Sequence, residues 1–177
     1  SNRDEWSLYF NGEADVGAWL IQETSAQDSK KLKSVLQDID DPVRELDLLI
    51  TAKSYVCPSL KLADETRKNK KNSWVYSFDR VRPGKKALEF GAFHGAELPY
   101  VFDTHDQWLP TNKADKVLTE QIQSYWLSFA KTGDPNNDGA VVWPEYESSN
   151  DSTLVLDDEI YQRGHESSEI CKIMDLF

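Results

Sequence analysis

Histidine is scarce in this chain, with three residues in 177, and cysteine is scarcer, with two. Two cysteines allow a single pairing and match no metal-ligand spacing. Long apolar runs are missing. None approaches the roughly 18 residues a membrane-crossing helix needs, which excludes such a span. Positive charge is in deficit too: 20 Lys and Arg face 31 Asp and Glu, a net charge of −11. A surface of that sign repels phosphates and argues against nucleic acid as a partner. The one dense basic run, Arg67, Lys68, Lys70 and Lys71, reads as a solvated helix end. No G-x-S-x-G turn, the sharp elbow that exposes a nucleophilic serine, occurs anywhere.

The composition that is present, 39% hydrophobic and 11% aromatic with six tryptophans, suits one ordinary domain or a piece of a larger one. Residues 28–39 carry Leu32, Val35, Leu36 and Ile39 at helical spacing. Asp41 and Pro42 form a helix start, followed by Val43, Leu46, Leu49 and Ile50. A separate helix is expected after the Cys57–Pro58 step, ending in the basic run. "SWVYSFDRV", residues 73–81, alternates as a strand and is dense in aromatics. Residues 115–133 predict the best helix, with an apolar face of Leu118, Ile122, Tyr125, Trp126 and Phe129 and a stop at Gly133. A short strand over "STLVLDD" and a terminal helix over "SSEICKIMDLF" complete the inventory. One long strand and one short one are too few for a sheet. The pattern fits a piece of an α/β protein whose remaining strands lie elsewhere. A self-contained helical domain with a small hairpin is the alternative.

Residues 134–145, "DPNNDGAVVWPE", set Asp134, Asn136, Asp138, Gly139 and Glu145 where a calcium-binding loop has its ligands and its tight-turn glycine. The exit fails, because Pro144 precedes the glutamate and turn residues follow instead of a helix. A polar turn closing a helix is the simpler reading.

"LEFGAFHGAELPYVF", residues 88–102, sets His94 between small-residue turns. Read by itself, His94 is either a base held out on a loop or a core residue. H-x-x-E, with Glu97, could supply two metal ligands, which are too few. His105 and His165 sit in polar, turn-rich surroundings and are expected to be solvated. A base acting on a serine also needs a carboxylate to fix its tautomer.

Several blocks, in order, resemble the type-B carboxylesterase family, which includes the cholinesterases. "NRDEWSLYF" is similar to an N-x-D-E-G-x-x-x-F segment, and "FHGAELPYVF" to an H-G-x-E-[IL]-x-[FY]-V-F segment. "YWLSFAKTGDPN" is nearly that family's Y-W-x-x-F-A-K-T-G-x-P-N helix end, and a W-P-x-[YF] block follows at Trp143 to Tyr146. The resemblance implies the C-terminal part of an α/β-hydrolase fold, with residues 1–177 belonging to one domain. It implies hydrolysis of small-molecule carboxylic esters through an acyl-enzyme, without cofactor or metal. His94 becomes the general base, Glu5 the acid of the triad and Glu97 a supporting group. Trp6 stands where the family usually has glycine.

The nucleophilic serine is then expected upstream, on a missing N-terminal portion of the same protein, and this chain alone is expected to be inactive. The resemblance also pairs Cys57 with Cys171 and with that suggests a secreted or periplasmic protein; two buried thiols are the alternative. A catalytically silent binding or adhesion module, or an inactive fragment, is the other functional class left open.

Overall fold

The computed structural model describes residues 14–105, 107, 109–149, 151–164 and 168–176. The chain forms two compact units, residues 1–71 with 165–177, and residues 72–164.

In the first unit the first three helices each start on a polar cap, which accepts one of the orphan amides of the first turn. Helix α1 (Val16–Glu23) is capped by Asp15, whose carboxylate accepts from the Ala18 amide at 2.8 Å. It buries Trp19 and Leu20. Helix α2 (Ala26–Val35) is capped by Ser25 and buries Leu32. Helix α3 (Pro42–Thr51) starts as expected, with Asp41 accepting from the Val43 amide and Pro42 in the first turn. Leu46, Leu49 and Ile50 make its buried stripe.

The break expected before Cys57 is absent. Residues Ala52–Val56 form a π-helical turn that runs straight into helix α4 (Cys57–Lys68). Pro58 lacks the amide that would bond one turn back. A widened turn absorbs that loss without ending the helix. Helix α8 (Ser168–Ile173), numbered in chain order, packs on α2 and on the π turn and buries Ile170 and Cys171. A disulfide joins Cys57 to Cys171, with Cα atoms 5.3 Å apart.

The second unit is built on a three-stranded sheet of order β1 (Tyr76–Phe78), β2 (Ser152–Leu156), β3 (Tyr161–Gly164). Strand β1 runs parallel to β2, with Tyr76 opposite Leu154. Strand β3 runs antiparallel to β2. β1 is shorter than its aromatic alternation suggests. The amides of Asp79 and Arg80 both donate to the Leu156 carbonyl, so the ladder ends where Arg80 turns inward.

Between the strands the chain forms α5 (Lys85–Phe90), α6 (Leu98–Val101) and the long α7 (Lys113–Thr132). Asn112 and Asp115 exchange hydrogen bonds in a capping box that starts α7, and Gly133 stops it in the left-handed conformation. Leu118, Ile122 and Tyr125 of α7 join Tyr100, Trp143, Leu154 and Leu156 in the core. Two members of the expected apolar face stay nearer the surface: Trp126 is half-buried and Phe129 is 51% exposed.

Candidate active site

His94 lies on the turn between α5 and α6 and is exposed. The local sequence explains the turn. Gly91 and Gly95 take φ of 65° and 83°, in the left-handed region that glycine enters without strain. The Ala96 amide donates to the Phe93 carbonyl at 3.0 Å and the Leu98 amide to the Gly95 carbonyl at 3.1 Å. The chain therefore folds back on itself on both sides of the ring. Ala96 is buried, while His94 points to the surface.

Glu97 is half-buried at the start of α6, where its carbonyl accepts from the amides of Tyr100 and Val101. Burial, reinforced by the charge of Glu97, pushes the Tyr76 hydroxyl up to about 12. Glu5 lies outside the described residues. Cys57 and Cys171 are both buried and bonded to one another, so the pairing implied by the resemblance is present.

The support beneath the His94 turn is a buried polar cluster that sequence reasoning missed. Arg80, leaving β1, donates from Nε to Asp115 Oδ1 at 2.7 Å, and its Nη1 lies 2.9 Å from Asp158. The Tyr100 hydroxyl donates to the same Asp115 oxygen at 2.8 Å. The Asn112 amide takes the other oxygen at 2.7 Å. Burial pulls the Asp115 carboxyl upward, but the Asn112 amide, Arg80 and Tyr100 outweigh it and hold it below the usual range. Tyr100 is pushed up, by burial first and then by its bond to Asp115. The Arg82 guanidinium caps the Tyr100 ring 5.8 Å from its centroid. This cluster ties α6, which continues directly from the His94 turn, to the start of α7 and to the end of β1. The Asn112-x-x-Asp115 spacing is a signal that could have pointed to the start of α7. The link to Arg80, 35 residues away, left no such signal.

His105 is not solvated as expected. It is half-buried, with its ring edge-on to Tyr100 at 4.8 Å. The Thr119 hydroxyl donates to the Asp115 carbonyl at 2.7 Å, so it accepts from His105 Nε2 at 2.7 Å. That assigns the proton to Nε2. Burial, then Lys116 and Arg82, holds its pKa below the usual histidine value. His165 lies outside the described residues.

The loop with calcium-like spacing spends its side chains on its own shape. Asp134 accepts from the Asn136 amide and carboxamide, both at 2.8 Å. Asn136 in turn holds both backbone groups of Trp143. Glu145 accepts from Asn72 at 2.8 Å, and irregular chain follows Gly139 in place of a helix. Among the described residues, no three His, Cys, Asp or Glu side chains are grouped to hold a metal, and no helix is long and apolar enough to cross a membrane.

Residues 14–173 match the model of the carboxylesterase family. The chain belongs to that family. Over 96% of its length it is 32% identical to the para-nitrobenzyl esterase of Bacillus subtilis (strain 168), of which it covers 35%. It is 31% identical, over 81% of its length, to the phenmedipham hydrolase of Pseudarthrobacter oxydans, of which it covers 30%. A solved PNB esterase structure matches with a TM-score of 0.66 at 28% identity, over 98% of this chain and 36% of that one. This carboxylesterase-family chain therefore has the fold of part of an α/β-hydrolase, and it spans about a third of the length of these relatives.

Proposed function

We propose that this chain is the histidine-bearing part of a serine carboxylesterase that hydrolyses small-molecule carboxylic esters. The observation that carries the reading is an exposed His94, on a turn built for it, within a chain matched by the carboxylesterase family over residues 14–173. His94 accepts the serine proton as that oxygen attacks the ester carbonyl, and returns it to the leaving alcohol. In the second half it takes a proton from water as that oxygen attacks the acyl carbon, then returns the proton to the serine oxygen as the acyl–serine bond breaks and the acid leaves. Glu5 orients the ring and stabilises the imidazolium. Glu97 supports the loop.

The serine and the oxyanion amides come from an N-terminal portion of the same protein, with which residues 1–177 form one hydrolase domain. The disulfide favours an oxidising compartment, hence a secreted or periplasmic protein.

The test uses p-nitrophenyl acetate. The purified chain alone is expected to show no turnover above buffer. A chimera in which it replaces the matched segment of the Bacillus subtilis enzyme is expected to turn over. Glu5→Gln in that chimera should lower kcat on the order of 100-fold or more. Turnover by the isolated chain, or an undiminished Glu5→Gln chimera, contradicts the assignment.

A further inference from the structure

The loop of residues 134–145 leaves one carboxylate without a task. Asp134 is held by Asn136, and Glu145 by Asn72. Asp138 is exposed, and its carboxylate has no hydrogen bond or ion pair among the described residues. Gly139, which follows it, is also exposed, at φ +83° with nothing within 4 Å of where a Cβ would stand. The Gly139 amide donates to no acceptor among the described residues. One long bond, from the Ala140 amide to the Asn137 carbonyl at 3.4 Å, spans the turn.

A free carboxyl group beside a free amide is a pair of reactants. For the amide nitrogen to reach the aspartate Cγ, both groups must be unbonded and no Cβ may stand in the way. Other aspartates fail one of these conditions. Asp134 precedes Pro135, which has no amide hydrogen. Asp28 precedes Ser29, but its carboxylate accepts from the Ser25 hydroxyl at 2.6 Å and from Lys31 at 3.2 Å. The Ser29 amide is bonded to the Ser25 carbonyl at 2.8 Å. Asp151, before Ser152, is buried and accepts from the Tyr146 hydroxyl at 3.1 Å. Asp138–Gly139 is the one aspartate–glycine step in the sequence.

We infer that Asp138 is a site of spontaneous isomerisation to isoaspartate, and with that a substrate site for an isoaspartyl O-methyltransferase. The Gly139 nitrogen bonds to Asp138 Cγ, and the carboxyl hydroxyl leaves as water with the amide proton. Water then opens the cyclic imide. Opening at Cγ restores aspartate. Opening at the α-carbonyl leaves the backbone running through Cβ and Cγ and frees the α-carboxylate. The water lost in the first step is regained in the second, so the net change is an isomerisation. The methyltransferase moves a methyl group from S-adenosylmethionine to the freed carboxylate. The longer backbone lies between Asn136 and Trp143, whose paired hydrogen bonds at 2.7 and 3.0 Å close the loop at its base. The added atom therefore enters an open turn, and the buried Trp143 need not move.

Ageing the purified, folded chain in mildly acidic buffer and mapping its peptides tests this. Peptides covering residues 134–145 should gain an isomer of unchanged mass. A protease that cuts before aspartate should no longer cut it at residue 138, and it should take up labelled methyl from S-adenosylmethionine and the methyltransferase. Because the turn is already open, the folded chain should form the isomer within about threefold of the rate of a synthetic peptide of residues 134–145. Asp138→Glu should abolish it. Deamidation of Asn137 raises the mass and is told apart by that. The Asn11–Gly12 step, outside the described residues, falls in another peptide. A folded chain slower than the peptide by about tenfold or more overturns the inference, because the fold then protects the step. An isomer that persists in Asp138→Glu, or isoaspartate confined to other peptides, also overturns it.

Discussion

Asp115 is fully buried, and three groups converge on its carboxylate: the Arg80 guanidinium, the Tyr100 hydroxyl and the Asn112 backbone amide. Removing one partner of a buried pair costs about 3–5 kcal/mol, because the other charge is left unmatched. Asp115→Ala should therefore lower the urea unfolding free energy by roughly that amount. Tyr100→Phe, which removes one bond to a charged acceptor, should cost about 1.5–3 kcal/mol. The pH dependence follows from the directions of two shifts. Asp115 has its pKa depressed on folding, so its contribution is present above the unfolded value and lost as pH falls through the folded one. His105 is also depressed, from 6.5, so folding favours its neutral form. Its contribution is present above 6.5 and declines below that value. The urea midpoint should fall on going from pH 7 to pH 5, and His105→Gln should flatten that first decline. A midpoint that rises between pH 7 and pH 5, or a decline that His105→Gln leaves unchanged, would refute the His105 assignment.

At the scale of elements, two devices can be tested one at a time. The Cys57–Cys171 disulfide closes a sequence separation of 114 and pins α8 against the helical run that carries Cys57. In the chain-entropy model such a crosslink stabilises by about 4.7 kcal/mol. Thermal melts with and without reductant should separate widely, and thiol titration of the denatured, unreduced chain should find no free thiol. Gly133 ends α7 at φ +80°, and a Cβ there would meet nothing within 4 Å. The cost of Gly133→Ala is then purely conformational, about 1 kcal/mol, and Gly133→Asn should cost less.

The same elements show what the sequence could reveal. Helix α7 was legible because its apolar period and terminal glycine agree. α3 was legible for the same reason, through Asp41 and Pro42. Strand β3 was not: Tyr161 to Gly164 lies at the edge, three of its four residues are exposed, and an exposed edge imposes no apolar alternation. The continuity of α3 into α4 was hidden by Pro58, since a π turn leaves no mark in the apolar pattern. The turn around His94 was readable from its glycines. The Arg80–Asp115–Tyr100 support was not, because its members come from three separate elements and only folding brings them together.

For the whole molecule, the −11 charge and the share of its relatives that it spans set the expectations. The chain has family membership, a hydrolase-type sheet segment and an exposed histidine on a braced turn. It has no G-x-S-x-G elbow of its own. On the proposed reading, the serine comes from another portion of the protein, and His94 is the group that couples the two. The most direct measurement is hydrolysis of p-nitrophenyl acetate by the chimera, with His94 and with His94→Gln, at matched folding by circular dichroism. The expected result is a fall in kcat of roughly 1,000-fold or more for His94→Gln, as for the loss of a general base in a triad. A folded His94→Gln chimera that keeps kcat within about tenfold of its parent would contradict the central role given to His94.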